Sequence, residues 1–277
     1  MKIAVASGKG GTGKTLISTN IFNILSDAIY LDCDVEEPNG HIFLKTETIR
    51  KESVYIPVPE INESKCVFCG RCSQVCNFNA IIVARRKVLV FPELCHGCGS
   101  CAYFCNKKAI VETPKEVGRI ETGIYKGKWV YTGRLNIGEP MSPPVIKKLK
   151  EKAAGIDTDI ILDSPPGTSC PVIETISGAD YVILVTEPTP FGLNDLKLAV
   201  NVVRKLKLPL GIVINKSDLG DSTVKKYCKK EKIKLLLEIP HDIWIAESYS
   251  RGELITDTEK FAGIFKKLFK DIRMETI

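Results

Sequence analysis

Gly8-Lys9-Gly10-Gly11-Thr12-Gly13-Lys14-Thr15 stands between a short apolar run, Ile3-Ala4-Val5-Ala6, and a helix-compatible run that begins near Leu16. Strand, glycine-rich loop and helix, in that order, form the setting in which G-x-x-x-x-G-K-[ST] binds phosphate, and the spacing is met in full from Gly8 to Thr15. The glycines let the backbone curl until successive N–H groups, that of Thr12 included, face a phosphate. The helix N-terminus adds partial positive charge at the same place. Lys14 is expected to reach the β- and γ-phosphates, and the Thr15 hydroxyl to hold Mg²⁺. A glycine-rich turn that matches by chance is the alternative, and the correctly placed strand and helix weigh against it.

Further along, Ala28-Ile29-Tyr30-Leu31-Asp32 reads as a second strand, followed by Cys33-Asp34-Val35. Acids at the C-terminal end of a parallel strand face the ligand crevice. Asp32, at the strand end itself, is read as structural. Ile160-Ile161-Leu162-Asp163 is a buried apolar strand ending in an aspartate, which fits a Walker B site with Asp163 on Mg²⁺ through water. Tyr181–Val185 and Leu210–Ile214 are further strands. The latter runs into Asn215-Lys216-Ser217-Asp218, which has the N-K-x-D form that reads guanine in G-proteins.

The chain has eleven cysteines, and eight of them fall in two runs, Cys66-x2-Cys69-x2-Cys72-x3-Cys76 and Cys95-x2-Cys98-x2-Cys101-x3-Cys105, offset by 29 residues. Gly70 matches Gly99, Asn77 matches Asn106, and Ala80-Ile81 matches Ala109-Ile110. Closely spaced thiolates suit iron–sulfur clusters, whereas zinc usually draws two pairs of cysteines. The duplicated run resembles a bacterial two-cluster ferredoxin. That resemblance implies two 4Fe–4S clusters, one on Cys66, Cys69, Cys72 and Cys105, the other on Cys95, Cys98, Cys101 and Cys76. The usual proline after each fourth cysteine is replaced by Asn77 and Asn106, which bears on turn geometry and potentials but removes no ligand. His96 is read as a neighbour rather than a ligand.

Lys9-Gly10-Gly11-Thr12-Gly13-Lys14-Thr15, with its second lysine, resembles the deviant Walker A loop of the MinD/Mrp/ParA ATPases, which include the nitrogenase iron protein. Asp163-Ser164-Pro165-Pro166-Gly167-Thr168 resembles switch II of the same family. The resemblance implies an α/β fold, a mostly parallel P-loop NTPase sheet over residues 1–59 and 114–277, with a small α+β ferredoxin-like domain inserted at 60–113. It implies that Lys9 crosses an ATP-sandwich dimer to the partner's phosphates, and that Asp34 lies in switch I and positions the attacking water. It also implies that Gly167 offers its N–H to the γ-phosphate, that Asn215 hydrogen-bonds adenine, and that Pro240 and Asp242 flank the base. The deviant loop favours ATP over GTP. The expected cofactors are therefore ATP/ADP, Mg²⁺ and two 4Fe–4S clusters. The expected partners are a second copy or a similar ATPase, and a redox or iron–sulfur/metal-cofactor protein. Two functions remain open: an ATPase that gates electron transfer, and an assembly or delivery factor of the Mrp type. Cys170 lies seven residues after Asp163. The nitrogenase iron protein has a cluster-ligating cysteine at a matching distance, yet no clear second cysteine accompanies this one, and it is read as a packing residue.

The remaining features exclude more than they assign. Of 277 residues, 44% are apolar and 26% charged, ordinary for a globular protein, and the net charge of +6 is spread along helix-like segments. No nucleic-acid module appears, and no stretch reaches the roughly 20 apolar residues of a membrane span. The opening run enters the first strand directly, which argues against a secretory leader, and cysteines at metal spacing fit a reducing compartment; a cytoplasmic location is expected. Phe261, Ile264, Phe265, Leu268, Phe269 and Ile272 form one apolar face of a last helix, expected to pack on the sheet rather than on a membrane.

Overall fold

The structure, a computed structural model, describes residues 1–276. Its strands are β1 (Lys2–Ala6), β2 (Ala28–Asp32), β3 (Thr48–Ile61), β4 (Ile81–Ala84), β5 (Lys87–Val90), β6 (Ile110–Tyr125), β7 (Lys128–Leu135), β8 (Asp159–Asp163), β9 (Tyr181–Thr186), β10 (Leu210–Asn215) and β11 (Lys234–Ile239). The helices are α1 (Lys14–Ile24), α2 (Gly40–Leu44), α3 (Arg71–Gln74), α4 (Ser100–Tyr103), α5 (Pro143–Glu151), α6 (Cys170–Ile176), α7 (Pro190–Lys205), α8 (Thr223–Lys230), α9 (Ile243–Ser250) and α10 (Glu259–Thr276).

One sheet has the order β11-β10-β9-β1-β8-β2-β7-β6-β3. From β11 to β7 all pairs are parallel; β6 and β3 then run antiparallel. The central strands are near-continuous runs of Ile, Val, Leu and Ala because helices cover both faces. Ala4, Ile29, Leu31 and Leu162 enter one apolar layer with residues of α5 to α8, while Ile3, Val5, Tyr30 and Ile161 enter the other with α1 and α10. On α10, Phe265, Leu268, Phe269 and Ile272 are buried against the sheet. At about 1.5–3 kcal/mol for each such side chain, that face is committed to the core, as the sequence led us to expect. No helix among the described residues is long and apolar enough to cross a membrane.

The antiparallel edge matters for function. Val54 of β3, Gly118 of β6 and Leu135, the last residue of β7, lie on one level of the ladder. Beyond that level Tyr55–Ile61 and Ile110–Glu116 continue as a two-stranded arm, roughly 20 Å at the usual rise per residue. Because β3 runs in the same sense as β7, the arm projects from the C-terminal ends of the parallel strands. The cysteine-rich segment closes its tip, and the β4–β5 hairpin belongs to that segment.

The 29-residue sequence repeat is also a backbone repeat. Left-handed residues recur at Phe68 and Gly97, at Gly70 and Gly99, and at Asn79 and Lys108. Gly70 and Gly99 each precede a one-turn helix, α3 and α4. Ala80 N–H donates to Cys76 Sγ at 3.3 Å, and Ala109 N–H to Cys105 Sγ at the same distance.

Candidate functional site

Three neighbouring strand ends deliver the site. β1 leads into the phosphate loop, while Asp32 of β2 and Asp163 of β8 stand opposite each other in the ladder. The loop turns through Gly11 (φ 74°) and Gly13 (φ 98°), and Gly13 caps α1 without offering a side chain. The first amides of α1 are left open for an anion. At Gly8 the constraint is space: a Cβ would lie 2.3 Å from the Asp195 carbonyl oxygen.

Lys14 is buried below the loop. Burial holds its pKa below the usual lysine value, while Asp163 and Asp34 pull it back up. Asp163 is fully buried, and its Oδ2 accepts from the Tyr30 hydroxyl at 2.9 Å, which in turn shares a 3.0 Å hydrogen bond with Ser18. Thr15 and Ser18 face the same carboxylate, yet burial still raises its pKa. Asp163 Oδ1 has no hydrogen-bond partner among the described residues. A bare buried carboxylate oxygen is costly unless positive charge is supplied. Mg²⁺ or one of its waters fits there. Asp34 is pushed up to about 6, by burial first and by Asp163 second, with Lys14 opposing. Asp32 is raised well above the usual range by the same causes, and its Oδ2 accepts from Gly40 N–H at 2.8 Å, the structural part expected for it. Three crowded carboxylates around one lysine leave an excess of negative charge that a divalent cation relieves.

Gly10, Gly11, Gly13, Lys14, Thr15, Asp34, Asn215, Pro240 and Asp242 line one open cleft of about 380 Å³. Ile245, Ala246 and Tyr249 supply its apolar wall. Gly8, Lys9, Thr12, Asp163 and Gly167 lie off that surface. Thr12 is buried, and its carbonyl accepts from Asn215 Nδ2 at 3.0 Å. Gly167 N–H donates to the Ser7 carbonyl at 2.9 Å rather than into the cleft. Lys9 pairs with Glu187 Oε2 at 3.4 Å, and Lys216 holds the other oxygen at 2.7 Å. The N-K-x-D tetrad therefore braces loops: Asn215 the phosphate loop, Lys216 Glu187, and Asp218 the His241 N–H at 2.6 Å. Asp242 caps α9 through Trp244 N–H at 2.8 Å. Sequence reasoning passed over Glu187, Tyr30 and Tyr249. Only the position of Glu187, just after an apolar strand, was a signal.

In the cysteine-rich segment, Cys66, Cys69, Cys72 and Cys105 line one cavity, and Cys76, Cys95, Cys98 and Cys101 line a second. The fourth cysteine of each run sits with the first three of the other. Among the described residues no group of three or more His, Cys, Asp or Glu is spaced to hold a single metal ion. Four cysteines lining one cavity are a donor set that would hold a cuboid cluster, each sulfur on its own iron. Burial pushes Cys101 up to about 11, so a lone thiolate is disfavoured there until a cation compensates it. Cys33 and Cys228 are buried. Cys170 corrects the sequence reading: it is exposed, not packed, because it opens α6 at the solvent side, immediately before Pro171.

Residues 3–255 match the family described as the CobQ/CobB/MinD/ParA nucleotide binding domain. An uncharacterized protein of Methanocaldococcus jannaschii is 33% identical over 91% of this chain and 90% of its own length. The iron-sulfur cluster carrier protein of Pyrococcus horikoshii is 25% identical over 91% of this chain and 77% of its own. Among solved structures, the septum site-determining protein MinD of Pyrococcus horikoshii, complexed with Mg-ADP, superposes with a TM-score of 0.59 at 17% identity, covering 98% of this chain and 95% of that one. The mostly parallel sheet is thus the MinD/ParA nucleotide-binding fold.

Proposed function

The chain belongs to the CobQ/CobB/MinD/ParA nucleotide-binding domain family, and on that premise we propose that it is an ATP-hydrolysing dimeric switch whose nucleotide state gates electron transfer through two 4Fe–4S clusters. The observation that carries this reading is the sorting of eight cysteines into two four-cysteine cavities on an arm at the nucleotide end of the sheet. A permanent two-cluster module beside an ATP site favours electron relay.

In this reading the amides of Gly10–Thr15 and Lys14 hold the phosphates, and Thr15 and Asp163 hold Mg²⁺. The bound Mg²⁺ supplies charge stabilisation at the transferring phosphoryl group. Asp34 orients water for attack, and Lys9, once released from Glu187, reaches the partner's nucleotide. Gly167 exchanges its Ser7 hydrogen bond for one to the γ-phosphate, which couples switch II to the nucleotide. Pro240 and Asp242 flank adenine. The segment 60–113 acts as the cluster domain, with Cys66, Cys69, Cys72 and Cys105 as one ligand set and Cys95, Cys98, Cys101 and Cys76 as the other, a reading supported by their grouping in two cavities.

The test is an anaerobic EPR redox titration without nucleotide, with Mg–ADP and with a non-hydrolysable ATP analogue. For one electron, a nucleotide-induced shift of about 59 mV corresponds to tenfold coupling. No shift, with both clusters intact, refutes gating. A second reading, a cluster carrier, is favoured by the name of the Pyrococcus relative and by the exposure of Cys170 beside switch II. It is distinguished by ATP-dependent transfer of a labile cluster to an apo-acceptor, lost in Cys170→Ser.

A further inference from the structure

The two cysteine cavities differ in place, in charge and in cover. The cavity of Cys76, Cys95, Cys98 and Cys101 is lined by Pro57, Pro59 and Glu112, whereas that of Cys66, Cys69, Cys72 and Cys105 is lined by Ile61 and Ile110. In the ladder Pro57 faces Pro114, Pro59 faces Glu112, and Ile61 faces Ile110. The first site is therefore the inner one, nearer the nucleotide-binding body, and the second is at the arm's tip, roughly 10 Å further along β3.

Their charges are opposite. The outer cavity carries Arg71 and Lys107 and no carboxylate. The inner cavity carries Glu112 and no lysine or arginine. A Cβ on Gly99 would lie 3.4 Å from Glu112 Oε1, so the carboxylate rests on the turn between Cys98 and Cys101. Lys115 is near, but its ammonium is neutralised by Glu139 at 2.8 Å. Cover differs in the same sense. Cys95 is buried, and Phe78 and His96 stack over the inner cavity with centroids 3.6 Å apart, while no cysteine of the outer set is buried. Each site receives one N–H on sulfur at 3.3 Å, from Ala80 to Cys76 and from Ala109 to Cys105; the inner site has in addition Ser100 Oγ at 3.4 Å from Cys98 Sγ, a neutral contact set against the full charge of Glu112.

Reduction adds one negative charge to a cluster. Nearby cations and exposure favour it; a carboxylate and burial oppose it. We propose, resting on the two-cluster reading, that Arg71 and Lys107 make the outer site the higher-potential one and Glu112 the inner site the lower, so that electrons run outward from the nucleotide-binding body to the arm's tip. The step is a one-electron exchange: the inner site is oxidised as the outer is reduced, and no bond or proton changes hands.

The experiment is an anaerobic EPR titration with dithionite at low salt, together with iron and sulfide analysis, on the wild-type chain, Glu112→Gln and Arg71→Gln. Both positions are exposed, so folding is spared. Two waves are expected in the wild type. Glu112→Gln should raise only the lower wave, by about threefold in its reduction constant, or about 28 mV at 59 mV per tenfold. Arg71→Gln should lower only the upper wave by a similar amount. With eight irons per chain, an unmoved wave in either variant, or Glu112→Gln acting on the upper wave, overturns the ordering. Fewer than eight irons and eight sulfides per chain overturns the two-cluster reading itself.

Discussion

Asn215 can be tested as a brace rather than a reader of the base. Its Nδ2 donates to the Thr12 carbonyl at 3.0 Å, and its Oδ1 accepts from Lys216 N–H at 3.0 Å. The side chain also lies so close to Gly13 that a Cβ there would sit 2.6 Å from Nδ2. Asn215→Ala removes a buried hydrogen bond and leaves the Thr12 carbonyl unpaired, a loss of about 1.5 kcal/mol, or about tenfold in an equilibrium constant. Because that loss falls on the loop that holds phosphate, it should appear for any ligand bearing the phosphate chain. The assay is calorimetric titration of Mg–ADP and of Mg–tripolyphosphate into wild type and variant, anaerobically. Both ligands should weaken by about tenfold. A variant that weakens for ADP alone, with tripolyphosphate unchanged, would refute the brace and return Asn215 to adenine.

The other predictions address single parts. Lys14→Ala should abolish nucleotide binding while iron content stays at the wild-type value; loss of iron alongside would deny that the two sites fold independently. Lys9→Ala should spare binding to the monomer and lose dimer-dependent phosphate release, and normal turnover would end the assignment across the dimer. Asp34, held at about 6 against an ordinary 3.8, keeps its proton longer in the folded chain, so stability should fall as pH rises from about 4 to 6 and stay low above. Asp34→Asn should remove that slope and gain about 1–2 kcal/mol at pH 8, after allowance for solvent screening, in anaerobic nucleotide-free melts; a difference from wild type that does not vary with pH would contradict it. Lys115→Met should shrink the nucleotide-induced shift in cluster potential without loss of iron, since Lys115 ties Glu139 to the Pro92 carbonyl; an unchanged shift rules out that tie as the coupling.

The phosphate loop could be read from the chain because all its determinants are local: a strand, glycines at fixed spacing, a lysine and a helix start. The grouping of Cys105 with the first run and of Cys76 with the second was an expectation from the resemblance to two-cluster ferredoxins, and the two cavities are lined by those same sets of thiols. The long arm was not foreseen. Pro57, Pro59 and Pro114 lie within it, and prolines in a run weaken a strand reading from sequence. They are tolerated because in the arm, beyond the Gly118–Leu135 pair, only β3 and β6 remain, so each has one side free of ladder partners. Tyr30 was hidden for another reason. In an apolar run a tyrosine looks like core, and only the opposition of β2 and β8 shows its hydroxyl meeting Asp163. Glu187 depends on two lysines, Lys9 and Lys216, that lie far from it in the chain and meet it only at the sheet's edge.

Coupling between the two halves has a short physical route. Asp34 precedes Val35, whose carbonyl accepts from Leu135 N–H at 2.8 Å, and a Cβ on Gly133 would lie 2.5 Å from Val35 Cγ1. Leu135 pairs with Gly118 of β6, and Val117 O accepts from Asn136 N–H at 3.0 Å. Two residues earlier on the same strand, Lys115 reaches Pro92, three positions before Cys95. The links from the Asp34 segment to β6 are backbone hydrogen bonds and close contacts, and the last, from Lys115 Nζ to the Pro92 carbonyl at 3.4 Å, is made by a side chain. Proximity alone is not coupling; the route matters only if the Asp34 segment has two arrangements. In the proposed gating, the crowding of Asp32, Asp34 and Asp163 would supply the bias between them, since burial raises all three carboxyls, the charge of Asp163 raises Asp32 and Asp34 further, and a divalent cation would relieve them. In that scheme, nucleotide–Mg²⁺ would act on the charge beside the phosphate loop and reach the inner cysteine site first, through Pro92 and Cys95, and the tip after it.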